Sequence, residues 1–174
     1  MLVDFDCYQT TINAIEPGAI FAASIGEQTT FCLSVQSDSG SAIPSLLTIW
    51  PGHPMMKNKI GLLNGEVISE HPILVYRAAR IVPSPNPEHL DLEPYGSFRS
   101  SQIGSLLLIG EEYYIQATTG QGRAVFACSD GARFKTSNDA SQRVIFTSWE
   151  IMIAGPGGEP HTLCVIDTTS DRMA

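Results

Sequence analysis

The chain has 174 residues, an apolar content of 43%, a charged content of 16% and a formal net charge of −8. These values predict one globular domain, not a disordered chain, and a chain of this length buries roughly 70% of the surface that its unfolded form exposes. The excess of acidic residues argues against binding to nucleic acid or to an anionic membrane, because both require clustered Lys and Arg.

The N-terminal residues MLVDFDCYQTT contain neither a basic segment nor a long apolar core, so they predict no secretory signal. No run reaches the about 18 apolar residues that a membrane helix needs. The cysteines are scattered and form no CxxC pair. We therefore expect a cytoplasmic protein with reduced thiols. Residues 1–56 contain acidic residues but no Lys or Arg, which suits either a solvated surface or a basic protein partner.

Short strands separated by turns account for the first half of the chain. Residues 2–15 alternate loosely and predict one or two strands. Asn64-Gly65 predicts a hairpin with a type I′ turn, in which both central residues have positive φ. Residues 73–82 are compatible with helix or strand, and the flanking prolines favour strand. Clearer strand patterns occupy residues 19–25, 30–36 and 45–50.

A proline-rich segment at residues 83–96 interrupts this pattern. Asn86 is suited to cap, and Pro87 to begin, a short helical turn over residues 88–92. We interpret the segment as a long crossover loop within one β domain over residues 1–167. A subdomain boundary near 83–96 is the alternative, and residues 168–174 are expected to form a frayed tail.

The most strand-like part of the sequence is residues 103–131, which predicts three consecutive strands at 105–109, 113–118 and 123–129. Residues 143–154 predict one long strand, with residues 161–167 pairing back against it. In total the chain predicts about ten short strands with little helix. This pattern favours an all-β, antiparallel β-barrel or β-sandwich.

Two parts of the chain share one pattern: a Gly, an apolar strand, a Gly-Glu turn and an alternating strand. The first begins at Gly18 and the second at Gly104, although the two strands differ in length. An internal duplication would produce a pseudo-two-fold barrel. Shared turn chemistry in two unrelated hairpins explains the pattern equally well.

No established catalytic or metal-binding motif is present. The four histidines form no HxH or HxxxH pair, so we predict neither a metal nor a cofactor. Residues 88–93 include His, Asp and Glu side chains of the kind that bind metal ions, but we expect this segment to form a solvated loop. Cys128 lies beside Asp130, whose charge would raise the thiol pKa and oppose nucleophilic activation. Glu111-Glu112 are adjacent and point apart in a strand, which does not make an acid–base pair.

The function therefore stays open between three hypotheses. The leading one is a non-enzymatic interaction or assembly protein that acts as a homo-oligomer or through a basic partner, because residues 143–154 are apolar on both faces. The second is a small-ligand-binding β-barrel with Tyr113 or Tyr114, Arg123 and Trp149 near its mouth. The third is an enzyme with a dispersed His and carboxylate site. A pocket lined by Tyr and Arg would favour the second.

Overall fold

Strands make up more than half of the chain described by the computed structural model, which covers residues 6–37, 41–49, 60–93, 103–134 and 143–168. Fourteen strands lie within these segments, together with three short 3₁₀ helices at Ile12–Ala14, Gly65–Ile68 and Pro87–His89. The strands are β1 (Cys7–Thr10), β2 (Ile20–Ile25), β3 (Gln28–Val35), β4 (Ser45–Ile49), β5 (Ile60–Leu63), β6 (Ile73–Tyr76), β7 (Arg80–Pro83), β8 (Leu90–Glu93), β9 (Leu106–Ile109), β10 (Glu112–Thr119), β11 (Gly122–Ala127), β12 (Arg143–Phe146), β13 (Ser148–Ala154) and β14 (Pro160–Asp167).

Eleven strands form a large sheet in the order β1-β6-β2-β3-β4-β5-β10-β9-β12-β8, with β11 on the other edge of β10. A small sheet has the order β14-β13-β7. Neighbouring strands are antiparallel except for β5 and β10, which meet in parallel at Thr118 and Gly61. The prediction of an all-β, antiparallel fold is confirmed. The large sheet is not closed into a barrel, since its path ends at β1 and β8.

The two sheets pack against each other across one apolar cluster. The cluster takes Leu33 and Ile115 from the large sheet and Trp149 and Ile151 from the small one, all fully buried. Burial of each such side chain contributes about 1.5–3 kcal/mol. The cluster draws residues from both sides of the proline-rich segment. The alternation of β3 places Cys32 on the opposite face, in a second cluster to which the 3₁₀ helices at Ile12–Ala14 and Gly65–Ile68 also contribute.

The strands predicted for residues 103–131 are confirmed as β9, β10 and β11, which pair antiparallel in sequence order. The predicted pairing of 161–167 with the preceding strand is also confirmed, with a bulge between Ile151 and Met152. Asn86 accepts the Glu88 N–H and Pro87 begins a 3₁₀ turn, as expected. That turn ends at His89, and β8 follows directly where the sequence predicted a longer helical turn.

Two local predictions were wrong. Asn64-Gly65 does not form a hairpin turn: Asn64 has φ −71° and caps the 3₁₀ helix at Gly65–Ile68 by accepting the Glu66 N–H. Residues 143–154 do not form one strand. They divide at Thr147 into β12 of the large sheet and β13 of the small sheet. Residues 73–82 likewise divide into β6 and β7, so strand was correctly preferred to helix there.

Some predictions fall outside the described residues. These are the end of the proline-rich segment, at residues 94–96, and the terminal residues 169–174. Thr168 is described: it is fully buried, and its hydroxyl donates to the Thr147 carbonyl at 2.9 Å. None of the described segments contains a helix long and apolar enough to cross a membrane.

The large sheet contains the same strand arrangement twice. The first half has the order β1-β6-β2-β3-β4, and the second has β8-β12-β9-β10-β11. Every neighbouring pair in both halves is antiparallel. The strands correspond in sequence order: β1 to β8, β2 to β9, β3 to β10, β4 to β11 and β6 to β12. The shared pattern noticed in the sequence therefore extends to five strands in each half.

The glycines that precede β2 and β9 show how closely the halves agree. Gly18 has φ +93° and Gly104 has φ +94°. The Gly18 N–H donates to the Ser34 carbonyl, and the Gly104 N–H donates to the Gln116 carbonyl, both at 2.8 Å. A positive φ at both sites requires glycine, because a side chain there is strained. The two hairpins thus begin with the same backbone geometry.

An aromatic pair occupies the same place in each half. The Phe31 and Tyr76 rings, on β3 and β6, are 6.2 Å apart between centroids. The Tyr113 and Phe146 rings, on β10 and β12, are also 6.2 Å apart. Both pairs are tilted, a geometry that ring quadrupoles favour. Side-chain packing is therefore conserved between the halves at this position although the residue types are exchanged.

The last equivalent strands, β7 and β13, pair with each other in the small sheet. Ile81 lies directly opposite Ile151. Each isoleucine occupies the same place in its half, since β7 follows β6 and β13 follows β12. A residue that pairs antiparallel with its own equivalent lies on a local two-fold axis. The two halves are therefore related by a pseudo-two-fold axis between Ile81 and Ile151.

The chain also enters β7 and β13 in the same way. Arg77, the residue after β6, donates its N–H to the Asp6 carbonyl at 3.1 Å. Thr147, the residue after β12, donates its N–H to the His89 carbonyl at 2.8 Å. These bonds fix the register of the two connections. The equivalence of the halves consequently extends to β7 and β13.

Candidate functional site

A cavity of about 450 Å³ lies where the first half of the large sheet, β7 and the second half meet. This volume is within the range of small-molecule sites. We call it the junction cavity. Its described lining residues come from four places in the chain: Gly18 and Ile20; Ala79, Arg80 and Ile81; Glu111, Glu112 and Tyr113; and Cys128 and Ser129.

Backbone geometry at Gly18 and at the β9–β10 turn creates this space. The peptide of Gly18 packs so tightly on Ser129 that a Cβ on Gly18 would lie 2.1 Å from the Ser129 carbonyl oxygen. Gly110, with φ +64°, makes the tight turn that carries Glu111 to the rim. Without a side chain at Gly18, β2 and the β11 end approach closely while the space beside Ala79 stays open.

Glu112 is held by two hydroxyl groups at the cavity wall. The Tyr114 hydroxyl donates to one carboxylate oxygen at 3.1 Å, and the Ser129 hydroxyl donates to the other. Desolvation, and then the hydrogen bond to Glu112, raises the pKa of Tyr114 above its ordinary value. Two hydrogen bonds therefore fix the position of the carboxylate.

Arg80 supplies the positive charge of the cavity. It is exposed at the start of β7, and no described carboxylate lies within ion-pair distance of it. Arg77, its companion in the sequence, points elsewhere: it pairs with Asp6 at 3.4 Å and lies 4.9 Å from the centre of the Tyr8 ring. The cavity thus combines a guanidinium group and two carboxylates above an apolar floor.

Cys128 lines the cavity as a thiol and not as a thiolate. Burial, and to a smaller extent the charge of Glu112, raises the pKa of Cys128 well above that of an ordinary thiol. The nucleophilic form is accordingly suppressed at neutral pH. No histidine is among the described lining residues, and His161 instead contacts Glu159 at 3.1 Å in the β13–β14 hairpin.

The four residues predicted from the sequence to lie at a ligand site are dispersed. Tyr113 lines the junction cavity. Tyr114 lies on the opposite face of β10, with its ring edge-on to Phe134 at 5.2 Å. Arg123 is exposed at the far end of the β10–β11 hairpin, opposite Thr118. Trp149 is fully buried, and its indole Nε1 donates to the Gly104 carbonyl at 2.7 Å.

Gly18 and Ala79 are lining residues that the sequence interpretation missed. Both are small, and neither carries chemistry that a motif search detects. The repeated Gly and Gly-Glu pattern was the available signal, because it predicts equivalent positions in two units. Using that signal requires the strand register, which only the structure supplies. Among the described residues no three His, Cys, Asp or Glu side chains lie close enough to share a metal ion.

No protein-family model, curated protein or solved structure matches this chain. The geometry of the described residues is therefore the basis for the function proposed below.

Proposed function

We propose that this protein binds a small organic molecule in the junction cavity and acts without covalent chemistry. The observation that carries the proposal is the cavity itself, with Tyr113 on its wall and Arg80 at its rim. Binding sites of this kind are mostly apolar and contain a few polar groups that orient the ligand. The apolar surface of Ile20, Ala79 and Ile81 and the charges around it fit that description.

The chemistry of the lining supports binding in preference to catalysis. The Cys128 thiol is held protonated, and the Glu112 carboxylate is already occupied by two hydroxyl groups. A nucleophile needs an adjacent base to activate it, and a general base needs access to a substrate proton. The described lining residues include no histidine that could activate the Cys128 thiol as a nucleophile.

The test is a fragment screen by two-dimensional NMR of the ¹⁵N-labelled protein, followed by titration of the hits. We expect hits that shift the amide signals of Ile20, Ile81 and Tyr113. Ala79→Trp should weaken their binding at least tenfold, because the indole would fill the cavity. Ala78→Trp is the matched control, since Ala78 is the exposed preceding residue. Absence of hits in the cavity, or equal loss in both variants, would refute the proposal.

Assembly through a surface of the first half is the second candidate. A surface pocket with a volume of about 370 Å³ is lined by residues of β6 and β2, including Ala22, Leu74 and Tyr76. Leu74 is 36% exposed although it lies in the middle of a sheet strand. Exposed apolar surface within a sheet is typical of contact sites for another protein, which here would be a second copy or a basic partner.

Light scattering at high micromolar concentration tests this candidate. We expect an oligomer that Leu74→Lys dissociates. Val67→Lys is the control, because Val67 is 60% exposed on a 3₁₀ helix away from that surface. A monomeric wild-type protein would exclude self-association and leave the basic partner to be tested by pull-down. We also place the protein in a reducing, cytoplasmic setting, supported by its four free cysteines.

A further inference from the structure

In the second half of the molecule, an indole ring fills the space beside the glycine that precedes β9. Trp149 at the start of β13 is completely buried in the main apolar cluster. Its Nε1–H donates to the carbonyl of Gly104 at 2.7 Å. This hydrogen bond satisfies the polar edge of the ring, as buried Trp requires. The space beside Gly104 is thus filled by the Trp149 ring.

The first half has an equivalent glycine but no indole ring beside it. Gly18 is the equivalent of Gly104 by its φ angle and by its hydrogen bond to the neighbouring strand. Ala79 is the equivalent of Trp149, since each lies two residues before the isoleucine on the pseudo-two-fold axis. The first half therefore has a methyl group where the second has an indole.

The junction cavity lies at this position, because both Gly18 and Ala79 line it. No residue of the described segments donates a hydrogen bond to the Gly18 carbonyl. In the second half the equivalent carbonyl is the acceptor for the indole N–H. The cavity is consequently the counterpart of the Trp149 ring site, with a carbonyl acceptor in the corresponding place.

We propose that the ligand of the junction cavity is a planar heteroaromatic compound with a ring N–H, which donates to the Gly18 carbonyl as Trp149 donates to Gly104. This inference rests on the proposed function and specifies its ligand class. The volume exceeds that of an indole ring, so the compound also carries a substituent. The substituent lies towards Arg80 and Glu111, where an acidic group meets the guanidinium or a basic group meets the carboxylate.

The experiment compares indole, 1-methylindole and benzofuran as probes of the ring site, by NMR titration of the wild-type protein. We expect indole to bind about tenfold more tightly than the other two, because each of them leaves the Gly18 carbonyl without a donor. Indole should also shift the amide nitrogen signal of Ala19, which belongs to the same peptide group as that carbonyl. Ala79→Trp should abolish these shifts, whereas Ala78→Trp should retain them.

The outcomes separate this inference from the function on which it rests. Equal affinities for the three probes would overturn the N–H requirement. If indole fails to bind while other fragments bind in the cavity, the ligand class is wrong and the proposed function stands. If no compound binds there, both are refuted. The wild-type comparison of probes decides between these outcomes even if Ala79→Trp does not fold.

Discussion

The conformation of single glycines determines how close the strands around the junction cavity can approach. Gly18 and Gly26 both have positive φ, at +93° and +65°. They differ in the space around them: a Cβ at Gly18 would overlap the Ser129 carbonyl, whereas a Cβ at Gly26 would have no atom within 4 Å. The pair thus separates backbone strain from steric overlap.

We expect Gly18→Ala to lower the free energy of unfolding by roughly 3 kcal/mol or more, because overlap adds to the cost of a left-handed conformation. Gly26→Ala adds only the cost of the left-handed conformation, without the overlap, and should lower the free energy of unfolding by about 1–2 kcal/mol. Urea denaturation monitored by tryptophan fluorescence measures both. Equal losses in the two variants would show that the contact between Gly18 and Ser129 is not formed.

At the scale of single elements, β10 combines buried and exposed positions within one strand. Ile115 is fully buried between them, whereas Thr118, three residues along the same strand, is exposed. Ile115→Asp places an unpaired charge in the core and should cost more than about 4 kcal/mol, enough to unfold most of the protein. Circular dichroism and proteolysis of the purified variant would detect this.

Thr118→Asp is the matched control, because the residue opposite Thr118 is Arg123. An acidic side chain facing a basic one on an exposed strand should change stability by no more than about 0.5 kcal/mol. A folded Ile115→Asp protein would mean that the buried and exposed faces of β10 are reversed. Unfolding of both variants would instead indicate that the strand tolerates no charge at all.

The pattern of strand-favouring residues between glycine-marked turns was sufficient to predict the strands of residues 103–131, each of which has buried residues on both of its faces. It failed at Thr147, where the chain passes from one sheet to the other. Ile145 and Trp149, four residues apart, are both buried, so alternation continues through the break. Gly65 also led to a wrong prediction, that of a hairpin turn. A Cβ at this position would lie 2.0 Å from the Pro44 carbonyl oxygen, so close packing, and not turn geometry, requires glycine there.

The junction cavity was beyond sequence reasoning for a different physical reason. Its lining combines β2, β7 and β10, and no local pattern determines which distant strands become neighbours. The informative residue is Ala79, whose small size has meaning only beside Trp149 in the equivalent place. Tyr113 was expected near a ligand site, but nothing in the sequence joined it to Arg80.

At the scale of the whole molecule, buried thiol and phenol groups stay protonated in the folded state. The free energy of unfolding therefore depends on pH in the alkaline range. Burial raises the pKa of the Cys32 thiol far above its ordinary value of 9.0 and that of Cys164 to about 12. Burial also raises the pKa of Tyr76 and Tyr114 above 10.0. In the unfolded chain these groups ionise near their ordinary values. The unfolded state therefore loses protons first as the pH rises.

It follows that the stabilisation is fully present below about pH 9 and is lost as the pH rises towards the folded-state pKa values. Each thiol that is ionised only in the unfolded state lowers the free energy of unfolding by about 1.4 kcal/mol per pH unit. Urea denaturation between pH 8 and 10.5 should show a steep decline. Cys32→Ala should make that decline shallower by up to this amount per unit, because it removes one such group.

Leu46→Ala controls for lost packing, since Leu46 belongs to the same apolar cluster as Cys32 and does not titrate. It should lower the free energy of unfolding by about 2–5 kcal/mol at every pH and leave the slope unchanged. If Cys32→Ala instead lowers the free energy of unfolding by the same amount at every pH, the thiol ionises equally in the folded and unfolded states. That result would place Cys32, and with it the face of β3 that packs in this cluster, in contact with water.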